Sequence, residues 1–306
     1  MRRAVLRDRS GMTLIEVVLA LALMALLGVF IVGVLRSVLG IWQASELRGR
    51  GDLAFHAATE RLQRDLDAFS NGPRGWIRLD RWRARAATEE EPAWYLPRLR
   101  FLADGAGLRG DDPSGARGVE VMWLLVPEDV VNTRLCRLVR YAVPEGDGPS
   151  LLEDSAADRL AREGGGLAVL DGVAWLDLAW EEADGSRRDE GFVPPEEPYD
   201  FPRRLEVSLD RVSGRAREKP PTLDADLGSG AVRLDLRGDA PFDFAPHVLV
   251  GREWIEVAGR FPRLTVTERA ARGSAAAEHP RGAAVLMAQN AAARLSLPAG
   301  GRRLQP

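Results

Sequence analysis

Nineteen consecutive residues, Val17 to Leu35, carry neither a charge nor a proline. No other property of the chain restricts its folding so tightly. A run of this length is close to the roughly 20 apolar residues that a helix needs to cross a bilayer, and as a helix it is apolar on every side. Residues 2–10 precede it and hold four arginines against the single acid Asp8. Flanking positive charge stays cytoplasmic, so the run orients as a single-pass helix with the rest of the chain on the far side. A cleaved secretory signal would close on a small-residue site. This run instead leads into Gly33-Val34-Leu35-Arg36-Ser37.

A plain anchor accounts for the hydrophobicity and leaves Glu16 unexplained, because a carboxylate at the start of an apolar segment is costly in lipid. The stretch Gly11-Met12-Thr13-Leu14-Ile15-Glu16 resembles the prepilin cleavage motif: a glycine, a hydrophobic first mature residue, then Thr-Leu-x-Glu. The usual first mature residue is phenylalanine, and Met12 departs from it. The resemblance implies a membrane aspartyl peptidase that cuts between Gly11 and Met12 and methylates the new amine of Met12. It implies a basic leader, residues 1–11, that is lost, and an apolar helix, residues 12–35, that is kept. In such filaments the family's glutamate pairs with the terminal amine of an adjacent subunit, and a buried carboxylate needs a charge partner. Glu16 is therefore expected to set subunit register in assembly, not to catalyse.

Residues 36–70 read as an amphipathic continuation of the helix. Leu47, Gly51, Ala54, Ala58, Leu62, Leu66 and Phe69 recur at three- and four-residue steps, with Arg50, Glu60, Arg61, Arg64 and Asp65 between them. That is one buried stripe on a helix. Gly40, Gly49 and Gly51 each lower helix propensity by about 1 kcal/mol relative to alanine and offer places to bend. Ser70-Asn71-Gly72-Pro73 is a stop.

Residues 71–213 turn to period two. Leu99–Leu102, Val119–Val126, Leu135–Val143, Val173–Glu182 and Arg203–Val212 alternate or run apolar, separated by Gly, Pro and Asp clusters. A helix laid on an antiparallel sheet gives an α+β domain. RLVRYAVPEGDGPSLLEDSA resembles the tyrosine-bearing strand, turn and second strand of the type II secretion minor pseudopilin J family. GLAVLDGVAWLDLAWEEADG and RRLEVSLD resemble the family's next long strand and its closing strand. Residues 77–118 and 183–202 read as longer connections. The resemblance implies a pseudopilin domain and a non-catalytic subunit at a pseudopilus tip. Its partners would be the prepilin peptidase, other minor and major pseudopilins and the inner-membrane secretion platform, with no nucleic acid. It places the chain in the inner membrane of a Gram-negative-type bacterium, N-terminus cytoplasmic and body periplasmic. Minor type IV pilins are the nearest rival. A single-pass envelope receptor or enzyme with a chance motif is a reading of another class.

Residues 222–297 form an extra segment before a short tail, residues 298–306. Val250-Gly251, Glu253, Ile255, Val257, Leu264, Val266, Arg272-Gly273, His279 and Gly282 resemble a small β module met in phage tail-associated and other surface proteins. Lys219-Pro220-Pro221 is a plausible linker before it. The other reading is that these strands extend the main sheet.

The rest of the chain argues against an active site. Net charge is −3, with no basic field for nucleic acid. Cys136 is the only cysteine and alternates with apolar residues, which excludes an internal disulfide framework and suits a buried strand position. His56, His247 and His279 share no ligand spacing, and no phosphate-binding, G-x-S-x-G or H-E-x-x-H pattern occurs. Glu89-Glu90-Glu91, Asp111-Asp112 and Asp224-x-Asp226 read as solvated acids, and Gly164–Gly166 as a turn. Trp123, Trp175 and Trp180 read as core or interface aromatics. No cofactor or metal is expected.

Overall fold

The computed structural model describes residues 14–86, 93–104, 118–128, 134–182, 184–195, 201–212, 218–238 and 246–298. The chain divides into two compact units, Met1–Leu47 and Arg48–Pro306. The long helix α1 (Leu14–Asp67) runs without a break past Gly40, Gly49 and Gly51. Within the first unit, Leu14–Leu35 has a mean hydropathy of 3.0 and none of it is buried. At 1.5 Å per residue those 22 residues rise about 33 Å, against about 30 Å of bilayer hydrocarbon.

The second unit is a β-rich, mostly antiparallel body. β1 (Ile77–Arg85), β2 (Trp94–Asp104), β3 (Gly118–Pro127), β4 (Cys136–Pro144) and β5 (Leu167–Glu181) are successive antiparallel neighbours in one large sheet. The helix α2 (Asp154–Glu163) lies between β4 and β5 in sequence. After β5 the chain makes β6 (Arg187–Arg188), which pairs with β5, and β7 (Gly191–Val193), which pairs with β1 at the far edge. It then returns as β8 (Arg204–Arg211) beside β5.

A smaller sheet follows: β9 (Thr222–Leu223), β10 (Arg233–Arg237), β11 (His247–Val250), β12 (Glu253–Arg260), β13 (Arg263–Ala271) and β14 (Val285–Met287), ordered β14-β11-β12-β13-β10-β9. The last strand, β15 (Gln289–Ser296), leaves it and adds to β8 at the edge of the large sheet.

Several expectations need correction. The residues 77–118 hold strands, not only connections. β1 escaped because Arg78, Asp80, Arg81, Arg83 and Arg85 mask its alternation and the phase shifts at Trp82. Pro97 sits inside β2, where β1 pairs on one side and the β3 ladder has not yet begun, an edge position that tolerates proline. β6 and β7 occupy part of residues 183–202. The phrase LLEDSA starts a helix and not a second strand. Its alanines favour helix, Asp154 sits in the first turn and Arg162 in the last, both suited to the helix dipole. Residues 222–297 are not all one module, since β15 belongs to the large sheet.

Cross-strand register assigns the faces of the large sheet. Leu99, Phe101, Val121, Trp123, Leu125 and Leu138 share one face, and Phe55, Ala58, Leu62 and Leu66 of α1 join the same core. Tyr141 points to the other face, where its hydroxyl donates to the Leu160 carbonyl of α2 at 3.0 Å. Gly191 marks a close approach: any Cβ there would fall 1.9 Å from the Trp180 ring. The small sheet has its own core of Leu234, Val248, Ile255, Val257, Leu264 and Val285. A third cluster, with Leu135, Ala174 and Val212 from one side and Leu249, Trp254 and Leu286 from the other, joins the two sheets.

Candidate functional site

Gly11 and Met12 lie outside the described residues, as do Glu89-Glu90-Glu91, Asp111-Asp112 and the tail after Pro298. Glu16 is in the first turn of α1, where the helix dipole favours a carboxylate. After it, Leu19, Leu23, Leu26, Leu27, Phe30 and Val34 are all exposed. Exposed apolar groups fall on every side of α1 here, so no single packed face covers this segment, which is long and apolar enough to cross a membrane.

The foot of the same helix is held differently. Asp65, one of the polar residues between the apolar positions, is only 2% exposed. Its spacing of three from Leu62 and four from Phe69 places it on the buried stripe, so period alone could have found it. Arg140 Nε and Nη2 donate to its two oxygens at 2.5 and 2.8 Å, and the Trp123 indole donates at 2.8 Å. This is a bidentate, charge-assisted fork. It fixes the helix against β3 and β4 at one register.

A second buried network pins the β4–α2 connection to the opposite face. Arg98 donates to Asp80 at 2.9 and 3.0 Å and to Asp158 at 2.7 Å. Arg100 reaches Asp80, Asp154 at 2.6 Å and the Leu151 carbonyl at 2.7 Å. Burial pulls the Arg98 guanidinium down, but Asp80 and Asp158 more than offset it and hold it above its usual value. Arg100 is lowered, first by burial and then by the neighbouring Arg98 charge. Glu120 accepts from Ser150 Oγ at 2.5 Å and from the Leu151 amide. None of these roles was visible beforehand, because each needs the pairing of distant strands.

In the small sheet, Glu253 organises the module. Its carboxylate accepts from Arg269 at 2.6 and 2.8 Å, from the Ala270 and Ala277 amides at 3.1 Å each, and from His279 Nε2 at 2.8 Å. Burial pushes Glu253 up, and these donors together outweigh it, so the carboxyl lies below the usual range. Gly251 takes φ +57°, and a Cβ there would touch the His279 ring. The residues Gly251, Glu253 and His279 thus meet in space. Arg269, outside the residues that resemble the module, supplies the fork.

At the seam between the sheets, Arg272 lies between Trp175 and Trp254, 5.2 and 4.9 Å from their ring centroids. It pairs with buried Asp210 and donates to His247 Nδ1 at 3.1 Å.

No catalytic arrangement emerges from the described residues. Burial pushes the Cys136 thiol strongly upward, so it is no nucleophile. Among them no three His, Cys, Asp or Glu side chains converge to hold a metal ion. Asp224 and Asp226 bind the Arg281 side chain and amide at 3.3 and 2.7 Å. Gly164 ends α2, its amide bonded to the Leu160 carbonyl at 3.2 Å. No protein-family model, curated protein or solved structure matches the chain.

Proposed function

We propose that the chain is a non-catalytic assembly subunit of the prepilin type, a J-like minor pseudopilin of a type II secretion system with an α+β pseudopilin body. The observation that carries this reading is the junction at residues 11–35. A Gly11-Met12 cleavage motif and Glu16 lead directly into an exposed helix that is apolar on every side. A subunit of this kind is inserted in the inner membrane with its body in the periplasm. The prepilin peptidase frees and methylates Met12. Glu16 then takes the amine of a neighbouring subunit, and the helix packs beside sibling pseudopilins above the inner-membrane platform. Within the body, Asp65 and Arg140 tie the last turns of the helix to the sheet, which suits a subunit whose domain is built on its own helix.

The test is N-terminal sequencing and mass measurement after co-expression with the peptidase. The expected product begins at N-methylated Met12. A chain that keeps Met1, or that is cut elsewhere, overturns the reading.

A further inference from the structure

The large sheet ends on β15, which pairs with β8 alone. Edge strands present unpaired peptide groups, and proteins usually blunt them with charge, proline or a bulge. Here one end is already covered. The Gln63 amide of α1 donates to the Ser296 carbonyl at 2.9 Å and accepts from the Ser296 amide at 3.1 Å. A side-chain amide thus makes the reciprocal bonds that a paired strand would make. Because Ser296 turns its peptide groups away from β8, the two-residue repeat turns those of Arg294, Ala292 and Asn290 the same way. Among the described residues no strand pairs with that side.

The sequence there is Ala291-Ala292-Ala293, without proline or charge. These small side chains leave a depression on each face. One, of about 530 Å³, lies against Leu53, Phe55, His56 and Thr59 of α1. The other, of about 350 Å³, is floored by Val207 and Ser208 and rimmed by Asp177, Arg187, Glu206 and Arg294. Those four charges are matched against one another, with contacts of 2.8 to 3.3 Å. Added strands gain affinity from the backbone and specificity from pockets for alternate side chains.

We infer that Asn290–Ala293 is an acceptor edge for an extended, uncharged segment of a neighbouring subunit, with a bulky apolar side chain seated against Leu53 and Phe55. The apolar lining from Leu53 and Phe55 and the internally neutralised rim favour an uncharged occupant, and the Gln63 contact shows that the edge takes an amide. Only the identity of the partner as a subunit rests on the assembly reading.

The test uses the full chain in detergent and a capped nonapeptide of alternating leucine and threonine. In the isolated chain the Asn290 and Ala292 amides should exchange quickly, and those of Ala291 and Ala293 slowly. The peptide should protect 290 and 292 saturably, by at least about tenfold, the exchange factor of a 1.4 kcal/mol opening difference. Ala292→Pro removes only an outward amide and should abolish this while 291 and 293 stay protected. Slow exchange at 290 and 292 without peptide, no protection with it, or equal binding by Ala292→Pro overturns the edge. In cells, p-benzoylphenylalanine in place of Leu53 should crosslink to a sibling subunit. Its failure with processing after Gly11 intact overturns the partner, whereas failed processing strikes the assembly reading alone.

Discussion

Two carboxylates on one helix stand under opposite conditions. Asp65, in the last turns of α1, is buried, and its acceptors are taken up by Arg140 and Trp123 of the chain's own sheet. Glu16 opens a stretch whose apolar side chains are exposed on every side. The difference separates two tasks. A carboxylate satisfied within the fold fixes how the helix sits on its own domain. On the proposed assembly reading, the carboxylate at the head of the exposed apolar segment serves contacts with a neighbouring subunit.

The sharpest way to break the comparison is to remove each acid. Asp65→Ala strands Arg140 in a dry site, and losing one member of such a pair costs about 3–5 kcal/mol. Chemical denaturation of the detergent-solubilised chain should show that loss. Asp65→Leu combined with Arg140→Met should restore much of it, since an apolar pair leaves no charge behind. Glu16→Ala should leave the midpoint of the body unchanged and reduce co-purification with sibling subunits. If Glu16→Ala weakens the body as Asp65→Ala does, the separation of tasks fails.

A smaller effect is expected in the second sheet. Glu253→Gln keeps the shape and one acceptor oxygen but removes the charge that gathers Arg269 and His279, a loss on the order of one charge-assisted hydrogen bond, about 1.5–3 kcal/mol. Because Glu253 lies below the usual range when folded, its contribution is complete above the unfolded value of about 4.3 and is lost as pH falls through the folded value. Glu253→Gln should therefore lower stability at neutral pH and flatten the acid limb below about pH 4.3. A steep limb unchanged by the substitution would show that other acids control it.

What could be read beforehand follows the range of the interactions. The apolar run is a property of contiguous residues, so Val17–Leu35 and the strands around Val121, Tyr141, Trp180 and Val207 announce themselves by composition and alternation. β1 does not, because its charges answer to partners brought by topology: Asp80 to Arg98 and Arg100, Arg78 to Asp154. Arg98 and Arg100 resemble surface residues until β2 is seen between β1 and β3 with α2 across it. β15 follows the small sheet directly, yet its partner β8 lies about eighty residues earlier, and no local pattern connects Ala291 to Leu209. Asp65 was legible by period and was obscured by its charge.

The least effect is expected at the seam, where it tests whether the two sheets respond to acid as one body. Burial depresses His247 below its ordinary value, the Arg272 charge adds to this, and Asp210, Glu256 and Glu268 pull the other way. Arg272 donates to Nδ1, which suits a neutral ring. As pH falls, the unfolded chain takes this proton first, so the seam is fully stable above about 6.5 and weakens below it until the folded ring is protonated as well. Hydrogen exchange at Leu249 and Leu286 should rise as pH falls below about 6.5, after correction for intrinsic rates, before exchange around Trp123 changes. His247→Asn keeps an acceptor for Arg272 and removes the titration, so the early step should vanish while the later loss through Glu253 remains. An early step that survives the substitution would place the acid response outside the seam and make the sheets independent of His247.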